Sequence, residues 1–188
     1  SDLKRILIGE AKTTSIISSE KYASTVENFY SSDAEAFFKK HGLIQLIDSI
    51  NHIIRHGRLI DKGFPRKHII IFPVIFYNDI LLSNPFFPKI FNDYFMGKIK
   101  NITLPCIKIN PLIMMHISDV EILEDTFSTE NPDIFKLFDQ HLEKYKDTFP
   151  FFYSSNKVGR KSYSDHVTEY YHSIIKEFNP KDQQVTPE

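Results

Sequence analysis

The chain has 188 residues, enough for one sizeable hydrophobic core, and 41% of them are hydrophobic and 25% charged, as in ordinary globular domains. A formal net charge of −1 excludes a strongly basic protein, so any case for nucleic-acid binding must rest on a local site. One cysteine, Cys106, excludes a disulfide within the chain and a cysteine-rich zinc site. No apolar run approaches the roughly 20 residues of a membrane span. We therefore expect a cytoplasmic protein with no membrane partner.

The first predicted element is a strand from Arg5 to Glu10, which is rich in β-branched and aliphatic residues and bounded by polar turns. A helix is predicted next. Ser32 and Glu35 have the spacing of a capping box, and apolar residues then follow the helical period from Leu43 to Gly57. The opposite face of this helix is predicted to be polar and carries His41, Gln45, Asp48, Ser49, His52 and His56.

The continuous apolar run from His68 to Phe76 predicts a strand covered on both faces, with Pro73 at a bulge or near an edge. Further along, the pattern predicts helices over 88–96, from Ser118, over 132–146 and over 164–178, and short strands over 107–109 and 112–116. The last helix would place Val167, Tyr170, Tyr171, Ile174 and Ile175 on its apolar side. Residues from Lys181 onward lack apolar periodicity and predict a frayed tail.

Glu10-Ala11-Lys12 is the pattern with the clearest chemical meaning. Side chains alternate along a strand, so Glu10 and Lys12 point to the same face. In a cleft, Glu10 could bind a divalent metal through hard oxygen, while Lys12 could orient water and offset charge on a phosphate. The pattern is short, and a surface ion pair at the end of a strand is the alternative interpretation.

The segment from Ile6 to Thr13, followed by a helix that carries Gln45 and then by an apolar strand, resembles the PD-(D/E)XK nuclease superfamily. The stretch from Ile109 to Leu123 is similar to a late strand and helix in some bacterial members. The resemblance implies a restriction-endonuclease-like α/β fold, a mixed sheet flanked by helices, with a helical C-terminal part. It also implies that Glu10 and the carbonyl of Ala11 bind Mg²⁺ or Mn²⁺, that Lys12 is catalytic, and that Gln45 positions water or phosphate.

The chain departs from this family at the acidic metal ligand, which in the family lies on a strand before Glu-x-Lys. Only Asp2 precedes Glu10 here, and it is better placed as the turn into the strand. The first core elements could belong to a segment absent from this chain, another polypeptide could supply the ligand, or the site could be inactive. We favour the missing segment.

Basic residues follow the proposed site helix, and we expect them to contact a nucleic-acid backbone: Arg55, Arg58, Lys62, Arg66 and Lys67. Scattered surface charge is the alternative. His52 and His56 lie one helical turn apart, a spacing compatible with a transition metal, although a solvated polar face is the favoured interpretation.

The sequence and this resemblance together predict a metal-dependent nuclease in bacterial defence or repair, and the resemblance alone favours DNA over RNA as its substrate. The alternative is an inactive nuclease-fold module that binds nucleic acid or a protein partner. The predicted organisation is a nuclease-like core over 1–126, a helical extension over 127–180 packed on that core, and a flexible tail over 181–188.

Overall fold

The computed structural model describes residues 3–13, 34–64, 68–100, 102, 106–130, 133–145 and 150–151. Several predictions fall outside these residues: Asp2, the Ser32 cap, Arg66, Lys67, the helix over 164–178 and the tail.

The described strands are β1 (Lys4–Lys12), β2 (Ile69–Tyr77), β3 (Ile107–Ile109) and β4 (Ile113–His116). The described α-helices are α1 (Ala34–Lys40), α2 (Leu43–Ile60), α3 (Phe86–Ile99), α4 (Ile117–Glu130) and α5 (Ile134–Tyr145), with a short 3₁₀ helix over Ile80–Ser83. The predicted strands at the start of the chain and after His68 are confirmed. Strand β1 extends beyond its predicted bounds at both ends, and β2 begins and ends one residue later than predicted.

The described strands form one sheet in which β2 is central. It pairs with β1 on one side, and with β3 and then β4 on the other. Every one of these pairings is parallel, so the sheet is not mixed within the described residues. The protein is a mixed α/β protein in which helices flank a sheet of parallel strands.

Pro73 lies in the central strand, which contradicts the expectation of a bulge or an edge. Its register with Ile8 of β1 is uninterrupted. On the other side of β2, β3 pairs only as far as Ile71 and β4 begins only at Val74. The amide of Ile69 donates to Cys106, so the odd-numbered residues of β2 direct their backbone groups toward this side. Pro73 therefore faces the gap between β3 and β4, where no described strand offers a hydrogen-bond acceptor. Because proline has no N–H group, no backbone donor is left unpaired there.

A side chain from α3 closes this gap. Asn92 is buried, and its Oδ1 accepts a hydrogen bond of 2.9 Å from the amide of Leu112, in the connection between β3 and β4. The amide of Asn110, in the same connection, donates to the carbonyl of Ile71 over 2.9 Å. The interrupted edge of β2 thus has hydrogen-bonding partners even though no strand continues across it.

The two faces of the sheet have separate cores. On the first face, Ile8, Ile71 and Ile75 pack with residues of α1, α2 and α3, including Phe38, Leu46 and Phe91. On the second face, Phe72, Val74 and Met115 pack with Leu123 of α4, Phe138 of α5 and Phe151. Because side chains alternate, the even-numbered residues of β1 share the first face, and Glu10 and Lys12 therefore lie on the side covered by α1 and α2.

The predicted helix through Gly57 is two helices, because the chain turns at His41 and Gly42. Gly42 has a φ of 85°, and its amide donates to the carbonyl of Lys39, which ends α1. Its own carbonyl accepts the first hydrogen bond of α2, from Leu46. Glycine adopts this left-handed conformation without the steric cost of a side chain, so it can end one helix and begin the next.

Within the described residues, no helix is long and apolar enough to cross a membrane. Helix α4 continues through residue 126, where the sequence placed a domain boundary, and Phe138 of α5 packs in the same core cluster as Phe72 of β2. The division into core and extension stays a prediction.

Candidate active site

Glu10 and Lys12 meet at the carboxyl end of β1. The Nζ atom of Lys12 lies 2.9 Å from Oε1 of Glu10, and the two side chains are 28% and 24% exposed. They are shielded on one side by α2 and open to solvent on the other. The predicted convergence of these two side chains on one face is therefore present, with both charged groups accessible.

Gly42 forms the wall against which this pair lies. A Cβ atom at Gly42 would come within 2.8 Å of Cγ of Glu10 and 2.9 Å of Cγ of Lys12. Each of these carbons is bonded to Cβ, so relief of the overlap would require both side chains to change their χ1 rotamers or β1 to shift. The absence of a side chain at Gly42 is what lets the start of α2 approach the pair so closely.

Helix α2 begins beside the pair, at Gly42. Gly42 provides no side-chain cap, and the first helical hydrogen bond is donated by Leu46, so the preceding amides lack partners within the helix. A helix end of this kind carries partial positive charge and favours a nearby anion such as the Glu10 carboxylate. Gln45 lies in the first turn of α2, and its Oε1 is buried with no hydrogen-bond partner among the described residues.

The carbonyl of Ala11 lies on the outer edge of β1. The amide of Lys4 donates to the carbonyl of His68, so the even-numbered residues of β1 direct their backbone groups toward β2. Ala11 therefore directs its carbonyl away from β2, toward an edge that no described strand pairs.

The carboxyl ends of the three longer parallel strands lie in one row. Lys12 is in register with Tyr77, which is in register with His116, and all three side chains share the first face. Neighbouring strands lie about 4.8 Å apart, which puts the Cα atoms of Lys12 and His116 about 10 Å from each other. In open α/β sheets, ligands bind outside the carboxyl ends of the strands, and this row lies there.

His116 and Asp119 fix the β4 end of this row. The Nε2 atom of His116 donates to the carbonyl of Asn78 over 3.2 Å, which makes Nδ1 the acceptor for the amide of Ser118. The Ser118 hydroxyl lies 2.7 Å from the same Nδ1. Asp119 is fully buried and accepts the amide of His116 over 2.8 Å, which caps α4. His116 therefore holds the end of β4 against the end of β2.

Tyr77, in the middle of the row, is buried, and its hydroxyl lies 3.0 Å from Oγ of Ser83. Burial raises the pKa of the Tyr77 hydroxyl far above its ordinary value of 10.0, and the negative charge of Asp119 adds to the rise, while the Ser83 hydrogen bond opposes it.

The raised pKa of Tyr77 predicts how the free energy of unfolding changes with pH above 10.0. Above pH 10.0 the unfolded chain loses the Tyr77 proton while the folded chain keeps it, so the free energy of unfolding falls as pH rises. The contribution is fully present below that pH. We expect a Tyr77→Phe variant to lose stability less steeply above pH 10.0 than the parent chain, as measured by urea denaturation across a pH series. Equal slopes for the two chains would contradict the shift.

The basic residues predicted to bind nucleic acid lie further along the chain. Arg55 and Arg58 are exposed in the second half of α2, and Lys62 is exposed just beyond its end. At about 1.5 Å per residue, Arg55 lies about 15 Å along the helix from Gln45. These cations are therefore separate from the Glu10–Lys12 pair, at a distance that an extended polyanion could span.

The predicted polar face of α2 is correct for its later turns and wrong for His41. His41 is 1% exposed and packs against Phe37, with ring centroids 4.5 Å apart, because the turn at Gly42 removes it from the line of the helix. His52 and His56 are exposed with ring centroids 4.9 Å apart. Among the described residues, no group of three or more His, Cys, Asp or Glu side chains could bind a metal ion.

Sequence reasoning did not single out Gly42 or Tyr77 as parts of the site. A glycine inside an apolar helical pattern was a signal for the break, since glycine weakens a helix interior and ends helices well. For Tyr77, the signal was its place at the end of a buried strand, because the carboxyl ends of parallel strands collect at one edge.

Comparison of the chain with protein-family models, with curated proteins and with solved structures finds no match. The function must therefore be argued from the site itself.

Proposed function

We propose that this chain is a metal-dependent nuclease of the PD-(D/E)XK type, with DNA as its preferred substrate. The observation that carries the proposal is the contact between Glu10 and Lys12 at the carboxyl end of β1, beside the start of α2. A carboxylate and an ammonium group in one accessible place are what phosphodiester hydrolysis uses, one to hold a cation and the other to offset phosphate charge.

The oxygen donors at this site suit Mg²⁺ or Mn²⁺. The proposal assigns three of them to the cation: the carboxylate of Glu10, the carbonyl of Ala11 on the open edge of β1, and Oε1 of Gln45, which has no hydrogen-bond partner among the described residues. Magnesium prefers such hard oxygen ligands and is commonly held by one or two carboxylates together with substrate phosphates. The cation would supply Lewis-acid stabilisation of charge on the phosphoryl oxygens.

The residues of the chain have separate roles in this proposal. Lys12 orients the attacking water and balances charge on the phosphate, while the start of α2 adds its partial positive charge nearby. Gln45 positions water or phosphate. Arg55, Arg58 and Lys62 contact the backbone of the same nucleic acid away from the scissile bond, and Arg66 and Lys67 extend this set along the sequence.

A cleavage assay tests the proposal. We expect the chain to cut DNA in the presence of Mg²⁺ or Mn²⁺, and the Glu10→Gln and Lys12→Met variants to lose activity by about 100-fold or more, the usual cost of removing one preorganised charged or hydrogen-bonding group. Circular dichroism should show both variants folded, because both charged groups are in partial contact with water and such ion pairs stabilise a protein by only about 1 kcal/mol.

Asp93→Asn is the matched control. It removes a more exposed ion pair, between Asp93 and Lys89 on α3, in which the two charged atoms lie 3.2 Å apart. We expect this variant to cut as well as the parent chain. Cleavage by Glu10→Gln at the parental rate would contradict the proposal.

The alternative function is a nuclease-fold module that binds nucleic acid or a protein partner without catalysis. Its support is that, in the part of the chain that the structure describes, Glu10 belongs to no group of three or more His, Cys, Asp or Glu side chains that could bind a metal ion. A segment outside the described residues, or another subunit, would have to supply a further acidic ligand for an active site. Binding of DNA that weakens with salt, needs no divalent cation and leads to no cleavage would favour this alternative.

A further inference from the structure

Two histidines lie side by side on the exposed face of α2. The ring centroids of His52 and His56 are 4.9 Å apart, with an angle of 47° between the ring planes, and both residues are exposed. Their spacing in the sequence is compatible with a metal and also with a solvated face, so the spacing alone does not separate the two. The distance between the rings is the observation that favours a metal.

The separation of the two rings matches the separation that a shared metal ion would impose. A zinc ion binds an imidazole nitrogen at about 2.0–2.1 Å, which puts the ring centroid about 3.2 Å from the ion. Two rings bound at the ligand angles of square-planar or tetrahedral coordination, about 90–110°, then have centroids about 4.5–5.2 Å apart. The observed 4.9 Å lies within this range. Rotation about the terminal side-chain torsion, which has a broad minimum, can direct a nitrogen of each exposed ring at the ion.

Helix α2 holds the two rings at this separation. Its apolar residues Leu43, Leu46, Ile47 and Ile50 are buried, and the helix continues for about a turn beyond His56. The pair therefore lies on an anchored helix rather than on a loop, and the backbone geometry of the site does not have to form when an ion binds. A site that is preorganised in this way loses little conformational entropy on binding.

The chemistry of the pair selects one class of cation. Neutral imidazole suits Cu²⁺, Ni²⁺ and Zn²⁺, whereas Mg²⁺ prefers hard oxygen ligands. Arg55 and Arg58 are exposed on the same helix and disfavour a cation that is held by charge alone. Coordination bonds to two nitrogens do not depend on such attraction. We propose that His52 and His56 bind a divalent transition-metal ion of this class as a bidentate site, with water completing the coordination, separate from the proposed magnesium site.

Calorimetric titration of the full chain with Ni²⁺ alone, in the absence of a histidine tag, tests the proposal. We expect the parent chain to bind Ni²⁺, and His52→Gln and His56→Gln each to bind it about 10-fold more weakly or worse, because the remaining imidazole can no longer form a chelate. Glutamine forms helices well, so circular dichroism should show both variants folded. An excess of Mg²⁺ should leave the affinity for Ni²⁺ unchanged.

His68→Asn is the matched control, since it also removes one exposed imidazole. His68 lies outside α2 and has a φ of 59°, which asparagine tolerates. This variant and Glu10→Gln should both bind Ni²⁺ as tightly as the parent chain. No binding to the parent chain, or parental affinity in either His52→Gln or His56→Gln, would overturn the proposal. Equal weakening in His68→Asn would also overturn it, because the ion would then be held by separate imidazoles across the surface.

Discussion

Replacing Gly42 by alanine is expected to destabilise the protein and to disrupt the candidate site at the same time. The left-handed backbone, with φ at 85°, costs a residue with a side chain about 1–2 kcal/mol. The new Cβ would also lie 2.8 Å from Cγ of Glu10, and overpacking of this kind costs a further amount of about 1–3 kcal/mol. Urea denaturation should therefore show a loss of about 2–5 kcal/mol.

Gly97→Ala is the control for this experiment. Gly97 lies in α3, and a Cβ atom there would meet nothing within 4 Å. Alanine favours a helix interior over glycine by about 0.5–1 kcal/mol, so this variant should be slightly more stable than the parent. Both variants replace glycine by alanine. A loss of unfolding free energy at position 42 and a gain at position 97 would therefore show that the backbone and neighbours of each glycine determine the effect. A Gly42→Ala variant as stable as the parent would contradict the close approach of α2 to β1.

Phe138→Ala is expected to be the most destabilising truncation on the second face of the sheet. The ring is fully buried, and its centroid lies 5.8 Å from that of Phe72 and 5.4 Å from that of Phe151. Removing a buried phenylalanine ring leaves a cavity and typically costs about 3–5 kcal/mol. Thermal and urea denaturation should both register this loss.

Phe135→Ala provides the comparison. Phe135 is on the same helix and also contacts Phe72, with ring centroids 5.2 Å apart, but it is only half-buried. Its truncation should cost clearly less, because part of the ring already contacts water. Similar losses of unfolding free energy in Phe138→Ala and Phe135→Ala would contradict the packing of α5 on the sheet through Phe138.

Much of the fold could be predicted from periodicity. The apolar run after His68 predicted a strand covered on both faces, and β2 is that strand because helices pack on each side of it. The position of Pro73 could not be predicted, since it depends on where β3 stops and β4 begins. The break at Gly42 was missed although it had a signal in the sequence: at about 100° per residue, the mean direction of Phe37 and Phe38 would lie almost opposite that of Leu46 and Ile50 if one helix ran through Gly42.

The candidate site was predictable only in its local part. The convergence of Glu10 and Lys12 follows from the alternation of side chains along one strand. Their contact with Gly42, and the row formed with Tyr77 and His116, depend on which strands pair and in which register. Such long-range pairings are not encoded in the spacing of any one segment.

The most direct test of the proposed metal site is a calorimetric titration of the full chain with Mg²⁺ and Mn²⁺, compared with the Glu10→Gln variant and with Asp93→Asn as the control. The account predicts binding to the parent and to Asp93→Asn, and its loss in Glu10→Gln without a change in fold. Binding of equal strength to Glu10→Gln, or no binding to the parent chain, would contradict the assignment of Glu10 as the metal ligand.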